Sequence, residues 1–364
     1  MPLSKLQIIF LGIFSVMALS NAPIPILPEI NSQVTVQGFI FSAYFFGAMI
    51  STLPAGFLSD RFETWILIRY SLLITIGTGI GMFLYPISEI FIAARVIEGI
   101  VAGIFVTSTL TTINRQKEHI HLSGYYMALL NAGLLAGLLI AGWMASFSGI
   151  NQSGIFLFTI LCLIAWYFSW NIHEDEPFST PVSGSRQSIT EMKQLLIDEW
   201  PLWLSVIVIL GATGVVQSLY GAYTHESPAI VGTKLALMNG ATIVASLIAP
   251  RISLRPLHII RICAIICAIS LILVSSTVVM IPILGIIAGI AYIAQMGYLA
   301  GKIKKTGMAM GMLTTMSYLG MMIFPTFGGI IAGIYSIPIS FIFFSGIAVI
   351  AAVSIGKCHC TYQL

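Results

Sequence analysis

Charge is scarce in this chain: 8% of its 364 residues are Asp, Glu, Lys or Arg and 58% are hydrophobic, against the roughly 25% charged residues of an ordinary soluble domain. So little charge excludes a surface built for water. The formal net charge of +3 does not point to nucleic acid, because the basic residues are spread over short loops rather than gathered in one patch. Cysteine is sparse too. Cys162, Cys263 and Cys267 fall in apolar runs and Cys358 and Cys360 in the tail, an odd total that implies no disulfide framework. The "CHC" at Cys358 to Cys360 is too compact, and too far from any other ligand, to read as a metal site. No convergent nucleophile, metal cluster or phosphate loop is present, which argues against an enzyme and calls for no cofactor. Long polar segments are missing as well, with one exception, "HEDEPFSTPVSGSRQSITEMKQLLIDEW".

What fills the chain instead is apolar stretches of about 20 residues, each able to cross roughly 30 Å of hydrocarbon. Hydropathy, punctuated by Pro, Gly and charge, predicts spans near 6–28, 35–58, 64–86, 89–112, 122–147 and 152–171, then 200–221, 229–250, 256–280, 282–301, 307–334 and 337–356. Lys5 ahead of an apolar run ending in Ala18, Leu19 and Ser20 loosely resembles a secretory leader, but the run continues through "NAPIPILPEI" and reads better as a first span. The expected class is an all-α polytopic membrane protein of twelve helices. Its expected organisation is a bundle over 1–171, a linker over 172–199 holding a short surface helix capped by Ser188 and Glu191, and a second bundle over 200–364.

With twelve spans, fourteen of the sixteen basic residues fall on one side: Lys5, Arg61, Arg69, Arg115, Lys117, Arg186, Lys193, Arg251, Arg255, Arg261, Lys302, Lys304, Lys305 and Lys357. Only Arg95 and Lys234 lie in or near spans. Positive charge concentrates on the cytoplasmic face, so both termini and the linker are expected there, in a cytoplasmic (inner) membrane. Two such halves are the layout of transporters built from parallel repeats. Gly77 with Gly81, Gly99 with Gly103, Gly133 with Gly137 and Gly285 with Gly289 are spaced for close helix contact.

Three short stretches carry more specific information. "GFLSDRFETW", after the second span, resembles the G-x-L-x-D-R-x-G-R-K loop of the major facilitator superfamily through Gly56, Leu58, Asp60 and Arg61. Glu63, Thr64 and Trp65 depart from it, and Arg69 is positioned to supply a positive charge one turn on. "RVIEGIVAG" resembles the family's R-x-x-Q-G-x-x-x-G, with Glu98 in place of Gln after Arg95. "GLLAGLLIAG" resembles the antiporter motif G-x-x-x-G-P-x-x-G-G through Gly133, Gly137 and Gly142, but has Leu138 for Pro and Ala141 for Gly. The Pro-rich "NAPIPILPEI" is also similar to the drug and proton antiporter branch. This resemblance implies a cytoplasmic latch in which Asp60 meets the start of span eleven near Thr306 and Gly307, and it implies alternating access.

Two readings of Arg95 and Glu98 stand. Three residues apart on one helix face, they form either a static pair that helps assemble the bundle or a site where Arg95 tunes the proton affinity of Glu98 and couples protons to transport. Cavities in this fold are lined mainly by spans one, four, seven and ten. The polar candidates are Asn21, Thr107, Asn131, Gln217, Tyr220, Asn239, Tyr292, Gln295 and Tyr318. Neutral amides beside aromatics suit an amphipathic solute. Lys234 either snorkels and pairs with Glu226 or joins Arg95 in the path, where an anion becomes the better substrate. The leading expectation is a proton-coupled exporter of small amphipathic compounds. The alternatives are an importer or facilitator of an organic anion or nutrient, and a transport-inactive sensor or scaffold. The expected partners are a small molecule, a proton or other ion gradient and membrane lipid.

Overall fold

A lipid-exposed backbone must satisfy its own N–H and C=O groups, and helices do this within one segment. A computed structural model of the chain describes residues 4–114, 116, 119–170, 172, 193–252, 254–302 and 306–355, and helices account for nearly all of them. The first six long helices are α1 (Lys5–Asn21), α2 (Val34–Arg61), α3 (Thr64–Leu84), α4 (Ser88–Asn114), α5 (His119–Ser148) and α6 (Ser153–Ser169). The next six are α7 (Trp200–Thr224), α8 (Pro228–Ile248), α9 (Pro256–Leu273), α10 (Met280–Lys302), α11 (Thr306–Ile334) and α12 (Ile337–Ile355). The expected surface-helix cap at Ser188 and Glu191 lies outside the described residues, but helical residues at 193–198 do lead into α7.

Local chemistry explains several of the ends. Ser4 and Gln7 close a capping box at the start of α1, each side chain taking the other's backbone N–H. Pro228 and Pro256 open α8 and α9, where the missing N–H costs nothing. The first span is not one helix to residue 28. The prolines of "NAPIPILPEI" end α1 at Asn21 and leave a 3-10 turn, Ile24–Ile26, followed by a single helical turn, Leu27–Ile30.

Among the described residues, eleven segments are long and apolar enough to cross a membrane, and the 17-residue α6 falls just short of that length. Its contacts nonetheless run the full depth of the bundle. Gly154 at its start packs against Ala141 near the end of α5, Gly79 of α3 meets Thr159 at mid-height, and Arg69 at the start of α3 reaches the carbonyls of Ser169 and Ile172 at its end. Twelve crossings follow. Below, the side holding the start of α1 and the end of α12 is the terminal side, and the other is the distal side.

The packing repeats across the two halves. In the first, α2 lies on α4, α3 on α4 and α6, and α1 on α5 and α6. In the second, α8 lies on α10, α9 on α10 and α12, and α7 on α11 and α12. The halves meet along two seams, α2 on α11 and α5 on α8, which the same symmetry exchanges. Both seams close at the distal side on glycine. A Cβ on Gly38 would run into the Pro325 carbonyl, one on Gly142 into the Pro228 carbonyl and one on Gly232 into the Leu138 carbonyl. Thr35 donates to the Gly329 carbonyl at 2.9 Å across one seam, and Trp143 Nε1 donates to Thr233 at 3.0 Å across the other.

The glycine expectations divide. Gly99, Gly133, Gly137, Gly285 and Gly289 each sit against a neighbouring helix backbone and Gly103 against Ser51, but Gly77 and Gly81 face open space. Their spacing on α3 is that of a packing motif, yet this face of α3 has no helix against it.

Candidate functional site

Between the halves lies a cavity of ≈ 270 Å³, close to the lower end of the roughly 300–1,000 Å³ usual for small-molecule sites. Its wall combines Ser20, Asn21, Asn131, Thr213, Gln217, Asn239 and Thr242 with the rings of Tyr44, Phe45 and Tyr318 and the thioethers of Met17, Met238 and Met321. No charged side chain lines it among the described residues. Asn21 donates to the Leu134 carbonyl at 2.9 Å and Asn131 to the Met127 carbonyl at 2.8 Å, leaving their side-chain oxygens without protein donors. Gln217 donates to Asn239 at 3.3 Å. The Phe45 and Tyr318 ring centres stand 6.0 Å apart, one from each half.

Five of the sequence candidates are therefore on this wall: Asn21, Asn131, Gln217, Asn239 and Tyr318. Five are not. Gln295 is fully buried and donates to Ser205 at 3.0 Å, Thr107 donates to the Gly103 carbonyl of its own helix, and Tyr292 and the buried Tyr220 are not among the lining residues. Lys234 takes the snorkelling option. Its Nζ donates to both oxygens of Glu226 at 2.7 and 2.5 Å and stands 5.6 Å from the Tyr220 ring centre. Spans four and ten contribute only Val106 and Ala288, whereas α2, α5, α8 and α11 form much of the wall. The aromatic pair Tyr44 and Phe45 was missed for this reason, although the ring-rich "FIFSAYFF" of α2 marks the place.

Arg95 and Glu98 lie one layer behind the wall. Both are buried, at 1% and 0% exposure. Arg95 Nη1 donates to Glu98 Oε2 at 2.9 Å and to the Ser20 carbonyl at 2.6 Å, and its guanidinium carbon lies 4.5 Å from the centre of the Tyr44 ring. Arg95 Nε and Glu98 Oε1 have no protein partner. Ser20 and Tyr44 belong to the cavity wall, so Arg95 touches that wall through one carbonyl and one ring.

The latch motif is only partly described. The backbone of Gly56, Asp60 and Arg61 forms the last turns of α2, so this stretch is helix where a turn was expected; the turn is confined to Phe62 and Glu63. The side chains of Asp60, Arg61 and Thr306, and the surroundings of Gly307, lie outside what is described. Arg69 is engaged at the end of α6. Its Nε donates to the Ser169 carbonyl at 3.1 Å, its Nη2 donates to the Ile172 carbonyl, and its guanidinium stacks 5.2 Å from the Trp170 ring, so it caps the end of α6. Gly133 and Gly137 press α5 onto the Phe14 and Ala18 carbonyls of α1, while Gly142 serves the seam with α8.

Two six-helix halves around a cavity with no charged lining residue among the described ones define the class of polytopic helical membrane proteins. The model of the Major Facilitator Superfamily matches residues 9–319, and the chain belongs to that family. It is 24% identical over 244 residues to the quinolone resistance protein NorA of Staphylococcus aureus (strain MSSA476), a match covering 61% of this chain and 59% of that protein, which is less than two thirds of the relative's length. The crystal structure of the nucleoside transporter NupG superposes with a TM-score of 0.76 at 12% identity, covering 99% of this chain and all of that one. A bacterial homologue of the human lysosomal transporter Spinster, in an inward-facing and occupied conformation, gives 0.74 at 14% identity over 97% and 96% of the two chains. Its family and its long apolar helices mark the chain as an integral membrane protein.

Proposed function

We propose that the chain is a proton-coupled exporter of small amphipathic compounds, with both termini cytoplasmic in an inner membrane. Bundles at 1–171 and 200–364 rock about the cavity, tethered by residues 172–199. The observation that carries this reading is the cavity wall: aromatic, thioether and neutral amide groups with unpaired acceptors, and a buried carboxylate one layer behind. Such a wall accepts an apolar body with a neutral or cationic polar end. An organic anion finds no counter-charge there, because Arg95 and Lys234 are already paired with Glu98 and Glu226. The similarity to NorA agrees with export.

Coupling is assigned to Glu98. When Glu98 takes a proton its pairing with Arg95 is lost, and Arg95 is left to its contacts with the Ser20 carbonyl and the Tyr44 ring, which face the substrate. Protein reconstituted in sealed liposomes, tested against a panel of lipophilic cations and organic anions, is expected to move protons only with the cations. In Glu98→Gln this substrate-dependent proton movement should fall to background. Undiminished flux in Glu98→Gln, or flux driven by the anions alone, overturns the reading.

The latch is part of the same proposal. Loss of the Asp60 charge removes its attraction to the positive N-terminal end of α11 and weakens the state closed on the cytoplasmic side. Asp60→Asn is expected to raise the labelling rate of cavity cysteines from the cytoplasmic side severalfold. Equal labelling from both sides before and after the change counts against it.

A further inference from the structure

A second cavity, larger than the central one, lies on the flank of the molecule. A groove of ≈ 710 Å³ runs along the outer flank between α5, α8 and α10, walled by apolar groups such as Leu135, Leu139, Val244, Ile248 and Ile286, with Thr233 at its distal end. It is a wedge. At the distal end α5 and α8 touch backbone to backbone through Gly142 and Gly232. One or two turns on, a Cβ at Gly240 would find only the tip of Leu135, at 3.5 Å, and further still Val244 and Ile248 stand exposed. From Thr233 to Ile248 the groove follows about 22 Å of helix, more than the roughly 15 Å that one leaflet contributes to the hydrocarbon core.

The chain leaves the terminal-side end of the groove through basic residues. Ile248 is followed by the 3-10 turn Ala249–Arg251, and both Arg251 and Arg255 are exposed there. The stretch that joins them, "APRISLRP", contains no acid. A slot shaped for hydrocarbon, open sideways and followed within seven residues of Ile248 by two exposed arginines, matches a phospholipid with an anionic headgroup.

We infer that this groove binds one acyl chain of an anionic phospholipid from the terminal-side leaflet, with its phosphate held by Arg251 and Arg255, and that occupancy favours the state splayed open on the terminal side. The conformational half of this inference rests on the alternating-access reading: closing the terminal side brings α5 against α8 and expels the chain. Lipid of this class then acts as a wedge that sets the resting state of the transporter.

The test is retention of phosphatidylglycerol against phosphatidylcholine by the full-length protein, read by native mass spectrometry. A second readout is the distance between spin labels at Tyr125→Cys and Leu247→Cys in bilayers of either composition, with the tail cysteines replaced. The expected result is a preference of about fivefold or more for phosphatidylglycerol, the effect of one arginine at an anionic surface. That preference should be lost in Arg251→Gln/Arg255→Gln, and the lipid itself in Gly240→Trp. Gly346→Trp, at an open position on α12, should change neither. Val244→Trp, on a more exposed part of the wall, replaces Gly240→Trp if that variant fails to fold. Labels should stand further apart in phosphatidylglycerol. Equal retention of the two lipids, retention that survives both tryptophan variants, displacement of the lipid by tetraphenylphosphonium, or distances indifferent to lipid each overturn the inference. Lipid-dependent distances in a protein that transports none of the probes leave the groove standing and sink the transport reading instead.

Discussion

Gly38→Val should nearly abolish transport without unfolding either half. Any Cβ at this position meets the Pro325 carbonyl of the facing helix, and neither backbone has a side-chain torsion with which to yield. Forcing extra carbon into such a contact costs about 1–3 kcal/mol. The cost falls only on the state in which the distal seam is closed, so at its upper end the balance moves by about two orders of magnitude toward the distal-open state. Spin labels on the distal ends of α2 and α11 should move apart, and the thermal midpoint should change little because Gly38 lies at the seam rather than in a bundle core. Gly77→Val is the control, since a Cβ there meets nothing within 4 Å. Wild-type transport with unchanged label distances in Gly38→Val would refute the seam as a working surface.

Arg95→Ala should give the largest loss of stability among single substitutions in the first half. It leaves Glu98, at 0% exposure, without its cation, and breaking a buried pair by removing one partner costs about 3–5 kcal/mol. Glu98→Gln alone should cost less, because an amide is cheaper than a charge to bury. Adding Glu98→Gln to Arg95→Ala should recover most of the thermal midpoint. The cycle separates the two readings of the pair: a structural role is registered in stability, whereas coupling is registered in proton flux at restored stability. An Arg95→Ala protein that melts with the wild type would mean that Glu98 takes up a proton once its cation is gone and so carries no unpaired buried charge.

Much of the architecture was legible in the sequence because hydrocarbon imposes few solutions. Apolar runs near 20 residues, Lys and Arg in alternate loops and one polar linker were enough to expect twelve helices in two sets of six, and the repeated packing fits that expectation. Rotation about each helix axis was not legible. In a helix apolar on nearly all faces the period of 3.6 leaves no contrast, so Gln295 and Tyr292 read the same as Gln217 and Tyr318 although only the latter pair lines the cavity. The contacts of Arg69 were hidden for a related reason. Its charge suited the latch motif, but three-dimensional proximity gave it the open carbonyls at the end of α6, a hundred residues away. Arg95 and Glu98 were legible because a charge in a span demands a partner, and their spacing offered one.

The distal seams hold a consequence for how the molecule responds to its surroundings. Their described contacts include glycine against carbonyl and neutral hydrogen bonds from Thr35, Trp143 and the Ala229 N–H. No ion pair joins the halves there among the described residues. Opening such a seam separates van der Waals surfaces and exposes a few amides, so no charge has to be rehydrated and there is little for dissolved salt to screen. The equilibrium on that side is therefore set by packing volume, and it will follow hydrostatic pressure and the lateral tension of the bilayer more closely than ionic strength.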